Sequence, residues 1–203
     1  MEGTIVTTMT TLIKLPGVAL WVSLAWVAAS AQPATTTPQM PPLPSLTTVQ
    51  SLDVTRYMGT WFEIAKYPNR FQSQCFADTQ AQYQLQADGG VQVINRCRKD
   101  TGEMVQALGA ARQVGSMESP KLKVRFAPVW LSWLPLVWGD YWVIDLDPDY
   151  RLVAISEPDR QYLWVLSRTV QVDAKDYAAL MLRLQGQGFD LRRLERTQHA
   201  RQP

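Results

Sequence analysis

The segment Gly59-Thr60-Trp61-Phe62-Glu63-Ile64-Ala65 restricts what this chain can fold into more than any other stretch. A glycine that lets the backbone bend stands directly before an alternating apolar run carrying a tryptophan. A short helix-forming stretch, Asp53-Val54-Thr55-Arg56-Tyr57-Met58, leads into it. That order suits the first strand of a closed antiparallel barrel, where a large aromatic ring plugs one end. An eight-stranded barrel has an interior that is either filled by side chains or holds one small ligand. What occupies the inside is therefore the functional question.

The remaining pattern agrees with a barrel. Short alternating runs recur between turn signals, as in all-β folds. Trp61 to Tyr67 ends at Pro68-Asn69. In the next run Ala81, Tyr83 and Leu85 alternate with glutamines up to the turn Asp88-Gly89-Gly90. Val91, Val93 and Asn95 then share a face on the way to Cys97. Met104 to Arg112 follows, and Leu122, Val124 and Phe126 alternate with Lys121, Lys123 and Arg125. Asp140 to Leu146, Leu152 to Ser156 and Tyr162 to Arg168 complete eight strands. One helix trails them. Asp173 is its expected N-cap, Tyr177, Leu180, Met181 and Leu184 form one apolar stripe, and Gly186 and Gly188 stop it. A single stripe packs one face, here against the outside of the barrel.

Composition sets the compartment and excludes some partners. The 203 residues carry a net charge of +2, with 20 Lys and Arg scattered among 18 acids, so no footprint for nucleic acid exists. Residues 1–31 read as a signal peptide: Lys14, an uncharged apolar run from Leu15 to Ala29, then Ala29-Ser30-Ala31 as a cleavage site. The alternative is a retained anchor, which the shortness of the run and Pro16-Gly17 at its head disfavour. No cysteine lies near that site, so a lipid-modified terminus is not expected. Residues 32–48 are rich in Pro and Thr and read as a disordered linker. The folded domain is expected over 49–198, with a tail at 199–203. Export to an oxidising periplasm makes Cys75 and Cys97, the only two cysteines, partners in one disulfide. A reactive thiol would need a basic neighbour, and strand geometry points Arg96 and Arg98 away from Cys97.

The most unusual stretch is Ala127-Pro128-Val129-Trp130-Leu131-Ser132-Trp133-Leu134-Pro135-Leu136-Val137-Trp138-Gly139, an apolar run where the pattern puts a hairpin connection. Apolar surface of this kind marks contact with a ligand, a partner or a membrane. Three readings stand: a lid over the cavity, a loop touching a membrane surface, and a homodimer contact.

Three segments together resemble the lipocalins, and in particular the bacterial subgroup similar to apolipoprotein D. They are Gly59 to Ala65 with Pro68-Asn69-Arg70-Phe71, Tyr141-Trp142-Val143-Ile144-Asp145-Leu146-Asp147 with Tyr150, and Tyr162-Leu163-Trp164-Val165-Leu166-Ser167-Arg168. The resemblance runs from about Leu52 to Arg196. It departs at Val170, where a proline is common, and in the absence of the lipoprotein cysteine that many bacterial members carry. It implies an eight-stranded up-and-down antiparallel barrel with the C-terminal helix packed outside. Gly59, Trp61 and Arg168 would be structural, the arginine lying across the indole at the closed end.

The resemblance implies carriage or storage of a small lipophilic ligand, a fatty acid or lysophospholipid, in the cell envelope. Trp164 shares the face of Leu166 and Arg168 and is expected to line the cavity. Trp138 matches a position near the pocket in relatives. Glu63, placed by parity with Trp61 and Ala65 on the inner face, needs a basic partner or hydration. Asn95 could orient a polar head group, and Tyr141 and Phe126 complete the expected ligand-contacting set. Catalysis is not expected. The only histidine, His199, falls in the tail, and no metal-ligand or cofactor pattern is present.

Overall fold

The computed structural model describes residues 44–200. The expected leader, residues 1–31, and the linker up to residue 43 lie outside the described residues. Among those described, a short helix α1 (Val54–Tyr57) precedes β1 (Gly59–Lys66), β2 (Ala77–Leu85), β3 (Val91–Arg98), β4 (Met104–Gln113) and β5 (Lys121–Arg125). Then follow β6 (Gly139–Leu146), β7 (Leu152–Ser156), β8 (Leu163–Ser167), the helix α2 (Ala174–Gly186) and a two-residue strand β9 (Glu195–Arg196). Each strand from β1 to β8 pairs antiparallel with the next, and β1 also pairs with β8. The result is a closed eight-stranded up-and-down barrel with α2 outside.

Closure leaves β1 with different neighbours along its length. Gly59 to Phe62 pair with β2, whereas Ala65 and Lys66 pair with β9. Beyond Phe62 the edges of β1 and β2 part, and the C-terminal segment fills the seam. Thr197 N–H donates to the Ile64 carbonyl (3.0 Å), and Asp78 N–H donates to the Gln198 carbonyl (2.8 Å). The ninth strand is therefore the seam of the barrel.

Two apolar cores follow from the period-two alternation of the strands. Inside lie Trp61, Ala81, Tyr83, Val91, Val93, Leu122, Val143, Ile155 and Leu166. Outside, Ile64, Ile144, Ala154, Leu163 and Val165 pack under Leu180 and Leu184 of α2. Asp173 caps α2 by accepting from the backbone N–H of Lys175 and Asp176. Arg183 then grips Asp145 of β6 with two bonds of 2.6 and 2.9 Å, which holds α2 against the sheet.

Three expectations need correction. A bulge lies between Glu63 and Ala65 in the β1–β8 ladder. It turns Ala65 to the outer core beside Ile64, so Ala65 does not share the inner face of Trp61. The packed chain also begins before residue 49, because Leu46 is buried in the outer core and Thr47 bonds Gln187. His199 is not in a free tail. Its side chain is 9% exposed, its Nε2 meets the Glu63 carbonyl at 2.6 Å, and its ring meets Phe62 edge-on.

Candidate functional site

The closed end of the barrel is built on Trp61. Its ring is fully buried, and its N–H donates to the Tyr57 carbonyl of α1 (2.9 Å). The Arg168 guanidinium lies 3.9 Å from the ring centroid and donates to the carbonyls of Arg56, Thr60 and Tyr150. Gly59 has φ +95°, and a Cβ there would come within 3.3 Å of the guanidinium. The glycine is thus required twice, by its backbone angle and by the close approach of Arg168. Trp61 and Arg168 together form a floor.

Three phenols stand above it. The Tyr141 hydroxyl lies 2.7 Å from that of Tyr57 and 3.0 Å from that of Tyr83. Burial pushes the Tyr57 and Tyr141 phenols well above their ordinary value, and raises Tyr83 to about 12. All three are neutral at ordinary pH.

Above the phenols a cavity of about 620 Å³ runs to the open end. Its wall is mostly aliphatic and aromatic, including Val91, Val93, Leu122, Val124, Ile155, Leu166 and Trp164. The volume lies within the range of small-molecule pockets. Strand directions put the β1–β2, β3–β4, β5–β6 and β7–β8 connections at this end. The disulfide Cys75–Cys97 forms as expected and ties the β1–β2 connection to the end of β3.

The structure brings most of the expected residues together. Trp164, Tyr141, Asn95, Glu63 and Phe126 all line the cavity. The Trp164 N–H is taken by Gln72 Oε1 (2.8 Å). Glu63 is buried yet held by protein groups: Gln72 Nε2 donates to it at 2.5 Å and the Thr197 hydroxyl at 2.6 Å, with Lys66 Nζ 3.7 Å away. Its carboxyl is therefore clasped structurally. Asn95 differs, because its side-chain oxygen is buried with no hydrogen-bond partner. Phe126 stands at the mouth and passes so close to Gly109 that a Cβ there would meet its ring at 2.8 Å.

Trp138 is not among the lining residues. Trp138 has the parity of Trp142, which packs on the outer core, whereas Tyr141 packs on the inner one. Its ring carries Arg112 at 4.4 Å and Arg125 at 5.3 Å, and its N–H donates to the Ser132 carbonyl. Val137 and the highly exposed Leu136 reach the mouth instead. Sequence reasoning also missed Tyr57, Tyr83 and Gln72 as cavity groups. For Tyr83 the signal was present in its alternation with the glutamines of β2. For Gln72, which sits in an irregular turn, no periodicity exists to read.

A family model described as a lipocalin-like domain matches residues 52–199. The chain belongs to the lipocalin family. It is 38% identical to temperature-induced lipocalin-1 of Arabidopsis thaliana over 156 residues, covering 76% of this chain and 83% of that protein. With outer membrane lipoprotein Blc of Escherichia coli K12 it shares 37% over 147 residues, 72% of this chain and 78% of the relative. With apolipoprotein D of Mus musculus it shares 29% over 167 residues, 79% and 84% of the two chains. This agrees with the resemblance to the bacterial and apolipoprotein D-like lipocalins carried by the three motifs.

Proposed function

We propose that this lipocalin binds and carries or stores a fatty acid or lysophospholipid, with the acyl chain in the barrel and the head group at its mouth. The observation that carries the reading is the 620 Å³ cavity, apolar along its wall and open at one end. Burying an acyl chain there gains about 0.8 kcal/mol per methylene. Trp164, Asn95, Tyr141 and Phe126 are the expected contacts, while Glu63 braces the wall and Trp138 braces the loop. The role is binding rather than catalysis, since the Glu63 carboxyl and the His199 ring are both engaged in closing the seam. A setting in the cell envelope is supported by the leader-like residues 1–31 and by the similarity to Blc, an outer membrane lipoprotein.

Titration with long-chain fatty acids should give a saturable change in tryptophan fluorescence, reported mainly by Trp164. No saturable response to any lipid, from protein with intact barrel circular dichroism, would sink the reading.

A second proposal concerns the loop after β5. Val129, Trp130, Trp133 and Leu136 are 72–95% exposed at the mouth, and Phe71 and Phe76 are exposed on the β1–β2 connection. We infer that this rim touches a lipid surface, which would let a lipid pass directly between bilayer and cavity. Liposome flotation should be lost in Trp130→Ser/Trp133→Ser with fatty-acid binding retained. A fall in molecular mass instead, with flotation unchanged, would assign the rim to a homodimer.

A further inference from the structure

We propose that the cavity floor holds a dedicated hydrogen-bond donor, and that the preferred ligand is a lipid carrying a neutral acceptor, a carbonyl or ether oxygen, in its deeply buried part. This rests on the lipid-carrier reading above and narrows its ligand class.

Tyr57, Tyr83 and Tyr141 bring three O–H donors, and their hydroxyls make two contacts, both to Tyr141. Each contact uses one proton whichever oxygen donates. One proton is therefore left over in every arrangement, on Tyr141 or on one of its neighbours. Among the described residues, no other acceptor lies within hydrogen-bond reach of the three oxygens. Tyr57 and Tyr83 are 2% and 7% exposed, and all three residues line the cavity. The spare proton can be satisfied only by what fills the cavity.

The chemistry of the acceptor follows from the surroundings. Among the described residues the floor supplies no free cation, because Arg168 lies across Trp61 and gives its N–H groups to three backbone carbonyls. A carboxylate placed there would lose its hydration without a counter-charge, whereas Arg70 lines the cavity at the mouth. The charged head stays at the mouth, and the deep group is uncharged. Burial keeps the phenols protonated, so the donor persists across the ordinary pH range. A plain hydrocarbon tail would strand the donor or trap a water beside it.

The test compares a long-chain saturated fatty acid with its mono-oxo analogues, the carbonyl being stepped along the chain, in equilibrium titrations with the intact protein. Affinity should pass through a maximum with the carbonyl in the methyl-terminal part, about threefold to tenfold tighter than the parent acid. In the variant Tyr57→Phe/Tyr83→Phe/Tyr141→Phe the maximum should vanish while the parent acid still binds. The oxo series on the wild-type protein decides the matter even if that variant does not fold. Equal or weaker binding of every oxo acid, with the parent bound, overturns the inference and leaves the carrier reading intact. Failure of all the acids to bind overturns both.

Discussion

At the scale of single residues, the closed end shows how much one side chain can hold. Arg168 joins α1, β1 and the β6–β7 turn through carbonyls of Arg56, Thr60 and Tyr150 while covering the Trp61 ring. Methionine would keep part of the packing and lose every donor. Arg168→Met should therefore destabilise the fold by about 3 kcal/mol, combining the cation–π contact with charged hydrogen bonds. Urea unfolding checks this, and a change below about 0.5 kcal/mol would contradict the role. The phenols above give a pH dependence whose sign is fixed. Their folded values lie above the ordinary 10.0, so the stability they contribute is complete below that pH and is lost as pH rises through the folded values. For Tyr83, raised to about 12, the loss amounts to about 3 kcal/mol. Phenolate absorbance should show the three floor tyrosines ionising last, together with loss of the barrel.

At the scale of elements, alternation carried the reading far and failed where it stopped. Parity puts Trp164 and Asn95 on the inner face, where both line the cavity, and Tyr83 and Tyr141 share that face. Parity also assigned Ala65 inward, and the bulge after Glu63 reversed it, because one extra residue flips every later side chain. Trp138 departs for a different reason: its match to a position near the pocket in relatives places it inward, against its parity with Trp142. The seam strand was illegible, since Glu195 and Arg196 are too short and too polar a pair to show a period. Its partner contacts span the chain, as in the Thr197 hydroxyl that donates to Glu63 from 134 positions away. Thr197→Val removes that donor at constant shape and leaves the buried carboxyl with Gln72 and distant Lys66. The expected cost is about 2 kcal/mol, a hydrogen bond to an ionisable group in a buried site. Hydrogen exchange should show the loss concentrated in β1 and β9, and uniform protection would argue against a seam.

At the scale of the whole molecule, one end of the barrel is closed by packed side chains and the other is open. Trp61, Arg168 and α1 seal the floor, whereas the mouth is made of connections, with exposed Trp130 and Trp133 on one and the disulfide-anchored Phe71 and Phe76 on another. The division predicts that stability and lipid-surface contact can be altered independently. Cys75→Ala/Cys97→Ala opens a loop of 22 residues and should cost about 3 kcal/mol on the chain-entropy account. Trp130→Ser/Trp133→Ser changes only exposed side chains, 72% and 75% accessible, and should alter stability by no more than about 0.5 kcal/mol. Ligand acts on the same balance by mass action. A fatty acid present at about 100 times its Kd adds about 2.7 kcal/mol, or roughly 5–10 °C in Tm for a domain of this size. The disulfide-free protein should recover most of its lost stability on saturation, because the ligand supports the cavity wall from within. Thermal melts of the wild type, the rim variant and the disulfide-free variant, each with and without ligand, resolve these contributions. An equal ligand-induced shift in all three is the expected result, and a shift abolished in the rim variant alone would move the binding site from the barrel to the loop.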